Sequence, residues 1–139
     1  MLVNLWTNSL ATKSLGAKKI TEYFIINWML ERIKMHQIFI DKFIIPESSL
    51  DEFSERMNYN REFIKKISGF VQDKVYKSID EQGNSLIITI AEWEDELSLT
   101  KAKELVQNEY KRINFNPPEF MSKLNVKMER GTYQEIDTY

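Results

Sequence analysis

The only histidine, His36, is the side chain best suited to move a proton near neutral pH. It stands directly before a segment rich in β-branched and aromatic residues, where it could act as a base at the rim of a pocket or could simply be solvated. With one histidine, a Ser-His-Asp triad or a two-histidine metal site would have to be assembled across subunits. Cysteine is absent, which excludes disulfides, thiolate metal ligands and a cysteine nucleophile.

A carboxylate and a large aromatic residue stand within the clearest strand patterns. Asp41 lies between apolar neighbours and could serve as a general base, or it could pair at the surface with Lys42 or Lys74. Trp93 ends a later apolar run, where an indole can stack on a flat ligand or pack between a sheet and a helix. The candidate catalytic residues are therefore Trp93, Asp41 and His36.

Three further residues are candidate substrate contacts. Asn58 interrupts the apolar spacing of a predicted helix and offers a donor and an acceptor to a phenolic oxygen, although such residues are often only solvated. Tyr76 could protonate or orient a substrate oxygen, or it could pack against a neighbouring strand. Phe43, in the first predicted strand, completes the set.

The composition is that of an ordinary globular chain of one domain, with 139 residues, 42% hydrophobic content and 29% charged residues. Acidic and basic residues are mixed and the net charge is -2, without the clustered Lys and Arg that nucleic-acid binding requires. No phosphate-binding glycine motif occurs. Residues 20–33 are too short an apolar stretch to span a membrane, and residues 1–19 lack a secretory signal, which predicts a cytoplasmic protein.

The apolar spacing predicts the order β-α-β-β-α-β. The predicted strands are 37–45, 70–79, 85–93 and 125–136, and the helices run from Ser48 or Ser49 to Gly69 and over 97–113, with a short turn at 120–124. Pro46 ends the first strand, and Gly83 supplies the turn between the second and third. This order is the split β-α-β unit of a ferredoxin-like α+β fold with a four-stranded antiparallel sheet.

Residues 1–34 differ from the rest of the chain, because a polar lead is followed by an aromatic-rich segment. A short helix over 21–32 would have an uneven apolar face, so the segment either docks as a helix or is an appendage. We therefore predict an N-terminal extension over 1–34 and the ferredoxin-like domain over 35–139.

The two strands expected at the centre of the sheet are apolar on both faces. One face of each carries Ile38, Ile40 and Ile44 or Leu86, Ile88 and Ile90, and the opposite face carries Phe39, Phe43 and Ile45 or Ile87, Ala91 and Trp93. A sheet covered on one side alternates apolar and polar residues, so these strands require a second cover. The economical cover is a second copy of the chain, which predicts a homodimer.

Three sequence elements carry a family resemblance: the strand that ends at Pro46, the helix ending Ile67-Ser68-Gly69-Phe70, and the strand Ile90-Ala91-Glu92-Trp93-Glu94 that leads into a helix. With them, residues 37–133 resemble the antibiotic-biosynthesis-monooxygenase-like proteins of the dimeric α/β-barrel superfamily. The resemblance does not extend to the residues before Met35. It implies a homodimer whose two sheets pack face to face, with a cavity between sheet and helices in each subunit.

The resemblance also implies roles for two residues. Quinone-forming and haem-degrading members use a strand-borne tryptophan in the pocket, which corresponds to Trp93, and haem-degrading members carry an asparagine near the position of Asp41. The aspartate departs from that pattern, because a carboxylate donates a hydrogen bond only when it is protonated. The second predicted helix has no histidine to serve as an axial ligand, which disfavours haem degradation.

The leading hypothesis is a cofactor-independent monooxygenase acting on a small aromatic or quinol, in which Trp93 stacks the substrate and Asp41 or His36 removes a proton. No cofactor, metal, nucleic-acid or membrane partner is predicted. The main alternative is a non-catalytic small-ligand-binding or stress-associated dimer, favoured by the shortage of histidine and by the aspartate. Haem binding is a weaker third option.

Overall fold

The computed structural model describes residues 16–137, and the polar lead predicted for the first residues lies outside them. The chain divides into two compact units, Met1–Lys34 and Met35–Tyr139. In the first unit, helix α1 (Ala17–Ile33) starts earlier than the predicted helix. Its apolar side chains are exposed at successive positions, among them Tyr23, Ile25, Ile26, Met29 and Leu30. No helix within residues 16–137 is long and apolar enough to cross a membrane.

The second unit contains four strands and three helices. In chain order they are β1 (Gln37–Ile45), α2 (Leu50–Ile64), β2 (Phe70–Ile79), β3 (Ser85–Trp93), α3 (Glu96–Arg112), α4 (Pro117–Lys123) and β4 (Lys127–Tyr133). The first three strands have the predicted bounds. Two other predictions were wrong in extent: helix α2 ends at Ile64, before Gly69, and β4 is shorter than 125–136.

The predicted turn at 120–124 is part of helix α4. Asn116 caps this helix, since its side-chain oxygen accepts a hydrogen bond from the backbone N–H of Glu119 at 3.1 Å. Pro117 stands at the first helical position, where a missing N–H costs nothing. Helix α3 has already ended at Arg112, and Asn114 follows with a positive φ of 53°, so the proline pair starts the new helix and does not end α3.

The four strands form one antiparallel sheet in the order β2-β3-β1-β4, which confirms the ferredoxin-like α+β fold. The central pair β1 and β3 runs in register from Gln37 opposite Trp93 to Ile45 opposite Ser85. Antiparallel neighbours that stand opposite each other share a face, so the register also assigns every strand residue to one side of the sheet.

One face of the sheet holds the core. All the buried strand residues lie on this helix-facing side: Gln37, Asp41, Phe43, Ile45, Ser85, Ile87 and Trp93. Phe43, Ile45 and Ile87 pack with Phe53 of α2 and with Leu124 and Val126 after α4. The opposite side, called here the open face, carries six half-buried or exposed apolar residues: Ile38, Ile40, Ile44, Leu86, Ile88 and Ile90. The sheet is thus apolar on both sides at its centre, as predicted, although its buried residues lie on one side.

We expect Gly69→Ala to destabilise the domain by roughly 2–4 kcal/mol, because a Cβ there adds steric overlap to backbone strain. Gly69 has a φ of 87°, and a Cβ would lie 2.2 Å from the Ser98 Oγ of helix α3. Gly83→Ala is the matched control, since Gly83 has a φ of 82° with open space around it and should cost about 1 kcal/mol. Urea unfolding of both variants measures the difference, and equal losses would contradict the steric argument.

Candidate functional site

The centre of the candidate site is an ion pair between Asp41 of β1 and Arg130 of β4, which stand opposite each other in the register. Both carboxylate oxygens of Asp41 accept hydrogen bonds from the guanidinium, one from Nε at 2.7 Å and one from Nη2 at 2.9 Å. Such a two-point contact fixes the position and the plane of the guanidinium. Asp41 is buried on the helix-facing side, whereas the Arg130 side chain remains about half exposed.

The partner of Asp41 is thus neither Lys42 nor Lys74, the two lysines considered from the sequence. Lys42 is the next residue along β1 and therefore points to the open face. Lys74 stands opposite Ile90 on that same open face. Strand alternation separates both lysines from the carboxylate.

Helix α3 brings Tyr110 to this ion pair. Burial raises the pKa of Tyr110, while the positive charge of Arg130 lowers it and the negative charge of Asp41 raises it. The Asn60 side chain of α2 donates a hydrogen bond from Nδ2 to the Tyr110 hydroxyl at 3.0 Å. Asp41, Arg130, Tyr110 and Asn60 together are called here the Asp41 centre.

Phe39 lies on the same face of β1 as Asp41, two residues earlier. Its ring lies 4.9 Å from the guanidinium carbon of Arg130 and 5.1 Å from the ammonium of Lys103, which belongs to α3. Phe39 also packs against the apolar cluster formed by Trp93, Leu99 and Ala102. It therefore connects the Asp41 centre to the tryptophan.

Trp93 is 2% exposed and makes an edge-to-face contact with Phe70, with ring centroids 5.6 Å apart. It stands opposite Gln37, whereas Asp41 stands opposite Thr89. Four residues of strand, about 13 Å, separate the two positions. Trp93 and Asp41 thus share the helix-facing side, with Phe39 between them.

Of the predicted substrate contacts, Phe43 is the one on the same face as Asp41. It is the next residue on that face of β1, and its ring makes an edge contact with Phe53 at 4.8 Å. Asn58 is exposed on α2, and none of the hydrogen bonds of the Asp41 centre involves it. Tyr76 is 53% exposed on the open face, opposite Ile88. The structure therefore does not bring Asn58 or Tyr76 to the Asp41 centre.

His36 belongs to a different polar group. Its Nδ1 lies 2.6 Å from a carboxylate oxygen of Glu92, whose other oxygen accepts a hydrogen bond from Gln72 at 2.6 Å. These hydrogen bonds, that of Gln72 foremost, lower the pKa of Glu92. Glu92 stands opposite Ile38 on the open face, so this histidine and Asp41 serve different sides of the sheet.

Two residues of the Asp41 centre were missed as site residues by the sequence analysis. The alternation Met128, Arg130, Thr132 puts Arg130 on one face of β4, but the register against β1 cannot be read from the sequence. Tyr110 has the spacing of an inward-facing position of α3, which is also the spacing of an ordinary core residue. For both residues the sequence pattern indicates which face of the strand or helix they occupy, but it does not indicate which residues they contact.

Arg130 also borders a groove of about 390 Å³ at the β4 edge of the sheet. The groove is lined by Ile40, Lys42, Glu129, Arg130, Gly131 and Tyr133. The other five lining residues belong to the open face, so the groove lies on the side of the sheet opposite Asp41. The guanidinium itself meets solvent on the helix-facing side, where the Arg130 side chain is about half exposed. Among residues 16–137, no cluster of three or more His, Cys, Asp or Glu side chains is placed to hold a metal ion.

Solved structures with this fold include proteins described as oxygenases. A proposed monooxygenase from Shewanella loihica PV-4 is 20% identical, with a TM-score of 0.57 over 75% of this chain and 97% of its own. SnoaB, a cofactor-independent oxygenase from Streptomyces nogalater, is 19% identical, with a TM-score of 0.53 over 75% of this chain and 96% of its own. A dimeric ferredoxin-like protein from an uncultured marine organism is 8% identical, with a TM-score of 0.58 over 76% of this chain and 99% of its own.

These likenesses establish the fold that the sequence resemblance implied. The chain spans nearly the whole length of each of the three proteins, and each of them matches about three quarters of this chain. No protein-family model matches the chain, and no curated protein matches it in sequence. The function therefore has to be argued from the site itself.

We expect Arg130→Met to raise the pKa of Tyr110 and Asp41→Asn to lower it. A nearby positive charge stabilises the tyrosinate and a nearby negative charge destabilises it, so removing each has the opposite effect. NMR titration of ring-labelled tyrosine, with Tyr110→Phe to assign the signal, measures both shifts. Arg61→Met is the matched control, because Arg61 pairs with Asp73 at 2.6 Å elsewhere and should leave Tyr110 unchanged. Shifts of equal sign in the two test variants would contradict the proposed electrostatics.

Proposed function

We propose that the protein is a homodimeric, cofactor-independent monooxygenase of the antibiotic-biosynthesis-monooxygenase type, which oxidises a small aromatic phenol or quinol at the Asp41 centre. The observation that carries the proposal is the guanidinium of Arg130, held at two points by Asp41 beside Tyr110 under the helices. The fold shared with SnoaB, described as a cofactor-independent oxygenase, supports the same class. A cytoplasmic location stays a prediction from the sequence.

The guanidinium is suited to stabilise a substrate oxyanion. A phenol becomes easier to deprotonate beside a fixed positive charge, and a preorganised donor stabilises the charge without having to move. Tyr110 stays protonated at neutral pH because burial raises its pKa, so its hydroxyl can donate a hydrogen bond. Asn60 holds that hydroxyl by donating to its oxygen.

Asp41 would accept the substrate proton, but its geometry sets a condition. Each oxygen accepts one hydrogen bond from Arg130 and keeps a second lone pair, so the substrate proton must approach along that remaining direction. His36 does not share this position, because it contacts Glu92 on the open face. Asp41 is therefore the stronger of the two candidates for the base.

The overall reaction balances without an external reductant. The deprotonated phenol gives one electron to O2, and the resulting radical and superoxide combine at the carbon opposite the phenolic oxygen to form a peroxide. Loss of water from the peroxide breaks the O–O bond and leaves a carbonyl, so one oxygen atom enters the quinone and the other leaves as water. A phenol with a free para position and one O2 thus give a quinone and one water.

The aromatic surface of the site would come from Phe39, with Trp93 behind it. Trp93 is buried and packed by Phe39 and Phe70, whereas the Phe39 ring also faces the cations of the site. A substrate ring near Arg130 therefore meets Phe39 first. Stacking directly on Trp93, as the sequence suggested, would require Phe39 to move.

A second copy of the chain would cover the open face. Apolar residues at the centre of a sheet are exposed to water unless another layer packs on them. One solved structure with this fold is described as dimeric. The groove beside β4 lies on the open face, so a second copy would also cover it.

One observation favours the alternative of a non-catalytic small-ligand-binding dimer. Phe39 lies between the Asp41 centre and Trp93, and both oxygens of Asp41 are engaged. In this arrangement Asp41 serves to position the guanidinium, and the site binds an anionic ligand without proton transfer.

We expect Arg130→Met to lower kcat/KM for oxidation of an anthrone or naphthol by about 100-fold, the usual cost of removing a preorganised oxyanion donor. Oxygen uptake and quinone absorbance measure the rate. Arg61→Met removes the other arginine paired with a strand aspartate and should keep the rate of the unsubstituted protein. A protein without activity on a broad panel of such substrates would instead support the non-catalytic alternative.

We expect Ile88→Glu to convert a dimer into a monomer, because it places a charge at the centre of the open face. Ile88 stands opposite Lys42, so the single sheet can accommodate the new carboxylate. Ile79→Glu is the control, since Ile79 is 66% exposed at the end of β2, on the other side of the sheet. Sedimentation velocity gives the mass of each, and a monomeric unsubstituted protein at micromolar concentration would overturn the proposed dimer.

A further inference from the structure

Lys103 is a cation at the site that has no anion to pair with. Its ammonium lies over the Phe39 ring at 5.1 Å, and it makes no ion pair with any residue in the described range 16–137. Lys103 and Tyr110 are seven residues apart on α3, which is two turns, so both face the sheet on the same side of the helix. Lys103 is a solvent-exposed residue, and the helix that carries Tyr110 places its ammonium over the Phe39 ring, beside the Asp41 centre.

The charges on this side of the sheet do not balance. The helix-facing residues of the four strands include two carboxylates, Asp41 and Asp73, and each is already paired with an arginine, Arg130 and Arg61 respectively. The N–H groups on Nη1 of Arg130 have no acceptor among residues 16–137, since Asp41 engages Nε and Nη2. The cluster of Lys103, Arg130 and Asp41 therefore has an excess positive charge beside an aromatic ring.

We propose that the site selects aromatic substrates that carry an anionic group, with a carboxylate held between Lys103 and Nη1 of Arg130 and the ring lying against Phe39. This inference rests on the proposed function for the reaction that follows, but the binding itself does not require it. A carboxylate accepts hydrogen bonds from cationic donors of both kinds, and the two cations contact the same ring, Phe39, which provides apolar contact. Lys103 is then a specificity-determining residue, because the neutral analogue of the same ring leaves its charge unpaired.

The test compares 1-hydroxy-2-naphthoate with its methyl ester, which has the same ring and phenol but no carboxylate. Binding is measured by calorimetry without oxygen, so that no turnover contributes. The unsubstituted protein should bind the carboxylate at least tenfold more tightly than the ester. Lys103→Met should reduce that preference to less than threefold, Lys103→Arg should keep it, and Lys101→Met, a control on the same helix, should leave it unchanged.

The outcomes separate this inference from the proposed function. Equal binding of acid and ester, or a preference that survives Lys103→Met, overturns the anionic site. Oxygen uptake that is equal with acid and ester would also overturn the anionic site, but it would leave the oxygenase proposal in place. A carboxylate preference that depends on Lys103, without any oxygen uptake, supports the anionic site and overturns the oxygenase.

Discussion

This structure depends on one constraint. The two inner strands of the sheet are apolar on both faces, but all the buried strand residues lie on a single face. The helix-facing side of β1 and β3 packs against α2, α3 and the segment after α4, which provides the core around Ile45 and Ile87. The open face has isoleucines and a leucine at the corresponding positions. The same alternation that places Asp41 under the helices places Lys42 and Ile40 on the open face, so one register decides both the site and the surface proposed for a second copy.

An ionised aspartate on the core side of a sheet is costly unless it is paired, and the Arg130 contact supplies that pair. The arrangement leaves the aspartate buried and the arginine half exposed, so the desolvation cost falls mainly on one of the two groups. It also holds a positive charge at a defined place next to a buried tyrosine. A second pair of the same type, Arg61 with Asp73, lies on the opposite edge strand without a tyrosine of raised pKa facing it in the same way. The tyrosine and the unpaired lysine distinguish the Asp41 centre from a purely structural ion pair.

Phe39 has an unusual position, since it belongs at once to the polar site and to the tryptophan cluster. A cation over the face of an aromatic ring is attracted to it, so Lys103 and Arg130 stabilise the position of the Phe39 ring beside the Asp41 centre. A bound anion would draw the cations towards itself and would leave the ring as its apolar support. The same contacts therefore define the resting site and the surface that a flat ligand would meet.

The sequence by itself determined the strands β1, β2 and β3 to the residue, the order of elements and the antiparallel ferredoxin-like fold. These follow from local rules: runs of β-branched and aromatic residues, a proline after Ile45 and glycines at positive φ in two turns. The ends of α2 and β4 and the helix α4 depended on caps and packing, which local spacing does not encode. For the site, the sequence correctly placed Asp41 and Trp93 within strands, and the sheet register then put both on one face. Only the tertiary structure decided that Asp41 meets Arg130 rather than a lysine, that Tyr110 lies beside them, and that His36 serves the other face. Those contacts join residues 50 to 89 positions apart, and their pairing is set by strand register and helix packing, neither of which can be computed from one chain's local pattern.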